Sequence, residues 1–173
     1  MVSQQTPAEL IWRDDDISCT TLIGQLEETD AALAEYGLTH TIAVIACDLH
    51  RRPDLVEMIK ACRMDVQLHC WTHEDMTLNR ESLHSLSQGV EMIERLFGAR
   101  PTVLYPPWNR ADETVVAVAA ELGLRVSVEK VSLQAFIRVD GDISEPVVNF
   151  HYWSETERSL LRRAARIHHR RRQ

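Results

Sequence analysis

Apolar stretches alternate with helix-patterned stretches along this chain. Residues 41–46, Thr-Ile-Ala-Val-Ile-Ala, form a continuous apolar and β-branched run that is typical of a strand buried on both faces. Residues 18–36 carry leucines and alanines at helical spacing and precede Gly37, a residue type at which helices commonly end. The same reasoning predicts further strands over 10–12, 64–68, 102–105, 124–128 and 147–150, and further helices over 53–62, 79–97, 111–122 and 155–168.

Strand and helix therefore alternate six or seven times, which is the pattern of parallel βα units. Residues 131–139 are ambiguous, and a short helix followed by a strand is the prediction there. The whole pattern predicts an α/β fold, either a barrel or an open doubly wound sheet. Neither GxGxxG after the first strand nor a P-loop sequence occurs, so nucleotide-binding versions of the fold have no support.

The length of 173 residues suggests one domain, formed by residues 1–157 with 158–173 as its Arg-rich C-terminal helix. The net charge is -7, although the last 16 residues hold seven arginines and no acidic residue. The acidic remainder argues against nucleic acid as a partner. The arginines favour a solvated helix end over a contact with phosphate or an anionic glycan.

Location and redox state follow from what the sequence lacks. There is no apolar run long enough to span a membrane and no signal-like segment at the start, so we expect a cytoplasmic protein. The four cysteines have no CxxC spacing, which favours reduced thiols.

Polar residues recur where the predicted strands end. The sequence His-Cys-Trp-Thr-His at 69–73 follows the strand at 64–68, and its two imidazoles, four residues apart, would share one face of a helical turn and could bind one metal ion. Three consecutive aspartates at 14–16 follow the first strand. Zinc binds histidine nitrogens and carboxylate oxygens, and a catalytic site keeps one position open for water. These groups predict an active site at the carboxyl ends of the strands.

The order of these motifs resembles the polysaccharide deacetylase (NodB-homology) domain of carbohydrate esterase family 4, although the chain is divergent from the family pattern. The resemblance extends from about residue 10 to residue 153, and the His-Cys-Trp-Thr-His sequence is its most specific part. The fold of that family is a distorted (β/α) barrel with fewer than eight regular repeats. This implies six or seven parallel strands here.

The resemblance also implies roles for individual residues. The second aspartate of the family's acidic pair binds the metal with two histidines, which implies Asp16, His69 and His73 as ligands. The first aspartate is the general base, which implies Asp15. A register shifted by one residue would instead make Asp14 the base and Asp15 the ligand. The strand-end sequence Asn-Phe-His implies that His151 is the general acid.

Two family motifs are altered in this sequence. Tyr-Pro-Pro-Trp at 105–108 has a tyrosine where the family has an arginine that braces the catalytic aspartate, and Arg13 and Arg110 are the candidate substitutes. The fourth motif, an aspartate followed by tryptophan, is hardly visible. Glu129 and Asp140 are the candidates for its carboxylate.

The implied function is a metal-dependent hydrolase, with Zn²⁺ as the expected metal, that removes acetyl from an N-acetylated sugar or glycan. Two alternatives stay open: hydrolysis of a C–N amide bond in a small non-sugar substrate, and a non-catalytic glycan-binding or scaffold module. For the tryptophans near the site two roles stay open, stacking on a sugar ring and packing in the core. The candidate substrate contacts are Tyr105, Pro107, Trp108, Trp71 and Trp153.

Overall fold

The structure, a computed structural model, describes residues 10–144 and 146–173 and contains one parallel sheet of seven strands. The strands are β1 (Ile11–Ile17), β2 (His40–Ile45), β3 (Asp65–Cys70), β4 (Val103–Leu104), β5 (Arg125–Val126), β6 (Val131–Ser132) and β7 (Val147–Phe150). Their order across the sheet is β5-β4-β3-β2-β1-β7-β6. In the described part of the chain β5 and β6 form no pair, so the curled sheet is an incomplete barrel. The predicted α/β barrel with six or seven parallel strands is confirmed.

Seven α-helices connect and cover the strands in the described part of the chain. They are α1 (Ile23–Ala34), α2 (Pro53–Cys62), α3 (Glu81–His84), α4 (Leu86–Phe97), α5 (Glu113–Glu121), α6 (Leu133–Arg138) and α7 (Glu155–Arg171). The helix predicted over 79–97 is in fact two helices, α3 and α4, separated at Ser85; the hydroxyl of Ser85 donates to the carbonyl of Ser82 at 2.8 Å. At 131–139 the strand precedes the helix, which is the reverse of the predicted order.

Helix α4 shows how apolar spacing builds the main core. Leu86, Val90 and Ile93 are fully buried and lie three or four residues apart, so they form one face of the helix that packs on β3. Gly89 lies on the same face, where an added Cβ would be 2.8 Å from a side-chain carbon of Leu68. The missing side chain therefore allows the close approach of helix and strand.

The C-terminal helix α7 is packed on the rest of the chain. Its buried residues Leu161, Ala164, Ala165 and Ile167 contribute to a second apolar cluster, and the helix contacts α1 and α6. Several of its arginines form ion pairs with acidic residues in or next to those helices, including Arg158 with Glu28, Arg162 with Glu35 and Arg171 with Asp142. None of the helices within 10–144 and 146–173 has both the length and the apolar character needed to cross a bilayer.

Candidate active site

Three potential metal ligands come together at the carboxyl end of the sheet. The ligand atoms of Asp16, His69 and His73 all lie within 4.8 Å of one another. One oxygen of Asp16, Oδ1, is 3.4 Å from His69 Nε2 and 3.2 Å from His73 Nε2. Burial opposes the charge of this carboxylate, but the two neighbouring imidazoles outweigh burial and hold the pKa of Asp16 well below its usual range.

An irregularity in β1 directs Asp16 toward the histidines. The pairing of β1 with β2 shifts register between Asp14 and Ile17, so β1 contains one extra residue there. Asp16 has φ of 69°, in the left-handed region that aspartate tolerates better than most residues. Because a bulge redirects side chains, consecutive aspartates reach different surroundings.

Asp14 faces away from this cluster and is fully buried. Its Oδ2 lies 3.3 Å from Nε2 of His40, and its Oδ1 accepts a hydrogen bond from the backbone N–H of Tyr152 at 2.8 Å. Burial raises the pKa of Asp14 to about 6, against the opposing effect of His40. The structure thus brings Asp16, and not Asp15, to the two histidines, and it places Asp14 away from them, an arrangement that corresponds to the first of the two registers.

The two histidines reach the cluster without a shared helical turn, so that prediction was wrong. His69 belongs to β3, and His73 lies in a bend three residues beyond the end of that strand. The Nδ1 of His69 is 2.5 Å from the backbone carbonyl of Tyr105, a contact that requires the proton on Nδ1 and leaves Nε2 with a lone pair. The buried Nε2 has no hydrogen-bond partner among the described residues. An acceptor left without a partner beside Asp16 fits a divalent metal ion.

Asp15 is held by a buried arginine. Nη2 of Arg13 donates to Asp15 Oδ2 at 2.9 Å and to Asn109 Oδ1 at 2.6 Å, and Nδ2 of Asn149 also donates to Asp15 Oδ2 at 2.8 Å. A second contact, Arg13 Nε to Asp15 Oδ1 at 2.9 Å, is close enough for charge attraction but too bent for a hydrogen bond. The guanidinium carbon lies 4.6 Å from the ring centroid of Tyr105.

Of the two candidate substitutes for the family's arginine, Arg13 is the one that contacts Asp15. The other candidate, Arg110, lies at the surface and pairs with Asp75 at 3.0 Å. Tyr105, expected at the substrate, is 1% exposed and lies against Arg13. Its side chain is part of the support for the brace.

His151 is bound by a carboxylate that the sequence analysis missed. Glu157 Oε2 accepts from both the backbone N–H and the Nδ1 of His151, at 2.8 and 2.9 Å. Burial lowers the pKa of His151, but the interactions with Glu157 exceed this effect and the net pKa is raised. Neither proposed carboxylate is in this place: Asp140 lies 3.7 Å from Arg170, and Glu129 is exposed and outside the cavity.

These groups line one cavity of about 270 Å³. Its lining residues are Asp15, Asp16, His69, His73, Trp108, Asn109, Lys130 and His151. Lys130, in the loop between β5 and β6, was not foreseen, because a lone lysine in a sequence gives no sign that it faces a site. A larger depression of about 460 Å³ lies at the amino ends of β3 and β4, away from these groups.

Comparison with known proteins places the chain in a family. The family model described as polysaccharide deacetylase matches residues 18–127, which is more than half of the chain. The chain belongs to the polysaccharide deacetylase family. The resemblance stated from the motifs is thereby confirmed. Among curated proteins, chitin deacetylase 1 of Cryptococcus neoformans var. grubii is 27% identical over 94 residues, which are 53% of this chain and 20% of that protein.

Solved structures with the same fold include members of carbohydrate esterase family 4. An enzyme of that family from Streptomyces lividans has a TM-score of 0.78 at 22% identity, covering 93% of this chain and 88% of its own. A peptidoglycan deacetylase from Bacillus subtilis has a TM-score of 0.75 at 15% identity, covering 95% and 84%. A pseudoenzyme of the family from Bacillus anthracis has a TM-score of 0.78 at 17% identity, covering 95% and 63%. At these identities the likeness establishes the fold alone.

Within this polysaccharide deacetylase fold, the tryptophans named from sequence have different positions. Trp108 is exposed and packs on His73, with ring centroids 4.6 Å apart. The ring centroids of Trp153 and His151 are 4.9 Å apart, and Nε1 of Trp153 donates to Oδ2 of Asp16 at 3.3 Å. Trp71, in contrast, packs partly against the main core and lines a separate depression. Pro107 is buried and is the first residue of the turn that presents Trp108.

Proposed function

We propose that this protein is a metal-dependent hydrolase that removes the acetyl group from an N-acetylated sugar. The observation that carries the proposal is one cavity with three kinds of group in its wall: a potential metal-binding cluster, a braced carboxylate and an oriented imidazole. The family and the relative named chitin deacetylase support an acetylated glycan as the substrate.

Asp16, His69 and His73 would hold the metal. Two histidine nitrogens and one carboxylate oxygen form a donor set of catalytic zinc sites, which leave one position for water. A bound Zn²⁺ would supply Lewis-acid activation of that water and of the acyl oxygen. In the protein, the Nδ1 contact of His69 keeps its Nε2 lone pair directed at the site.

Asp15 and His151 would move the protons. Asp15 has the place of a general base, since Arg13 and Asn149 fix its carboxylate at the cavity wall beside Asp16. His151 would protonate the leaving amine nitrogen, because expulsion of an unprotonated amide nitrogen has a prohibitive barrier. Trp108 offers an exposed apolar face at the cavity on which a sugar ring can pack.

Zinc content and acetate release test the proposal together. We expect about one zinc ion per chain by elemental analysis, lost in His69→Ala, and acetate release from N-acetylglucosamine oligomers. Asp15→Asn should keep the metal and lose release. His50→Ala is the control, because this exposed histidine also follows a strand but lies outside the cavity. Failure of the zinc-replete protein to retain metal would contradict the proposal.

The same measurements separate the two alternatives. A hydrolase of non-sugar amides would bind metal and release acid from small N-acyl compounds, but leave the oligomers intact. A non-catalytic module would bind glycan with unchanged affinity after Asp15→Asn and release no acetate from any substrate. A pseudoenzyme with the same fold is known, which keeps the non-catalytic module as an alternative.

A further inference from the structure

We infer that Glu157, on the C-terminal helix α7, is the positioning residue that holds His151 in its proton-donating orientation. This inference rests on the proposed function, in which His151 gives a proton to the leaving group. It assigns part of the catalytic apparatus to a helix that lies beyond the region matched by the family model, residues 18–127.

The geometry is that of a single oxygen with two donors from one residue. Glu157 Oε2 is 2.8 Å from the backbone N of His151 and 2.9 Å from its ring Nδ1. A contact of this length between Nδ1 and a carboxylate requires the proton on Nδ1. The imidazole therefore cannot rotate, or flip so that Nε2 replaces Nδ1, without losing this hydrogen bond. Nε2 remains the nitrogen that Glu157 does not engage, on a ring that lines the cavity.

The start of α7 explains why Glu157 has this position. Ser154 is the N-cap, and its hydroxyl accepts from the backbone N–H of Glu157 at 3.3 Å. Serine followed three residues later by glutamate is a capping-box sequence, in which the glutamate ordinarily returns to the backbone N–H of the cap itself. Here the glutamate instead binds His151, three residues before the cap. The helix N-terminus also favours a negative charge there.

The charged groups around His151 come from three elements. Glu157 faces it from α7, Asp15 and Asp16 face it from β1, and Lys130 lines the same cavity from the β5–β6 loop. Asp15 is already paired with Arg13, and Asp16 lies between two histidines. Glu157, with 15% of its side chain exposed, makes the direct contact and is the largest influence that favours the charged imidazole.

Titration of the imidazole tests the inference without activity or metal. The NMR signals of His151, assigned by their loss in His151→Gln, would be followed in the wild type, Glu157→Gln, Glu157→Asp and Glu155→Gln. We expect Glu157→Gln to lower the proton affinity of His151 about tenfold or more, since an adjacent opposite charge is lost. Glu157→Asp should restore part of it. Glu155→Gln, an exposed residue of the same first turn, should leave it unchanged.

The pH dependence of acetate release gives the functional result. A general acid works while protonated, so a lowered His151 pKa should move the alkaline limb of kcat to lower pH in Glu157→Gln, with KM unchanged. An unmoved limb together with an unmoved His151 titration would overturn the inference, even if kcat fell. Inactive wild-type protein would refute the proposed function instead, and the titration would still decide whether Glu157 controls His151.

Discussion

Replacement of Arg13 by methionine would remove the guanidinium that neutralises Asp15 inside the protein. Arg13 is fully buried, and the side chain of Asp15 is 5% exposed. The variant keeps an unbranched side chain of similar length, so the main change is the loss of one charge and its hydrogen bonds. Asp15 would retain the amide of Asn149, at 2.8 Å, as a neutral donor.

The expected cost follows from burial. Removing one partner of a buried ion pair leaves an uncompensated charge and lowers the free energy of unfolding by about 3–5 kcal/mol. An exposed pair of similar length gives the comparison: Arg110 Nη1 is 3.0 Å from Asp75, with 62% of the arginine side chain exposed. Arg110→Met should therefore lower the free energy by less than about 1 kcal/mol.

Urea unfolding of the metal-free variants measures both effects, as a lower midpoint at an unchanged m-value. The double variant Arg13→Met/Asp15→Asn should lose less stability than the sum of its two single variants, because neither charge is then left alone. Neutralisation of Asp15 by Arg13 is refuted if Arg13→Met lowers the free energy of unfolding no more than Arg110→Met does. It is also refuted if the losses of Arg13→Met and Asp15→Asn simply add in the double variant.

Two further predictions concern packing and pH. Gly89→Ala should lower the free energy of unfolding by about 1–3 kcal/mol, because the new methyl group meets Leu68, whereas Gly24→Ala, with nothing within 4 Å, should raise it by about 0.4–1 kcal/mol in the same urea assay. The pKa values of Asp14 and His40 are raised in the folded protein, so each group contributes to the free energy of unfolding at low pH and loses that contribution as pH rises. The loss occurs from about pH 4 to about pH 6 for Asp14 and above pH 6.5 for His40. His40→Gln should flatten the decline in unfolding free energy above pH 6.5, and an unchanged slope would contradict this assignment.

Much of the fold could be predicted from short-range patterns. The buried β-branched run at 41–46 became β2, and the helix predicted over 53–62 has those same bounds. Predictions failed where local pattern left the order or continuity of elements open. Helical spacing continues through Ser85, yet the helix breaks there, and 131–139 has strand before helix because Val131 and Ser132 pair with β7.

The candidate site divides in the same way. The ligand cluster could be predicted because its residue types are diagnostic and lie in short motifs at strand ends. Glu157 had no such signal, since a glutamate in the first turn of a helix is a common capping residue. Trp71 lies inside the best-matching motif but points to another depression, which motif matching cannot show.

The sequence by itself determined the alternation of strand and helix, the family, and the aspartates and histidines that can bind metal. Those properties depend on residue type and short spacing, which a linear pattern records. The tertiary structure alone decided that Arg13 braces Asp15, that Asp14 turns to His40, and that α7 brings a carboxylate to His151. Each of these depends on a bulge, on strand pairing or on helix packing, and these bring together side chains whose separation in the chain carries no signal.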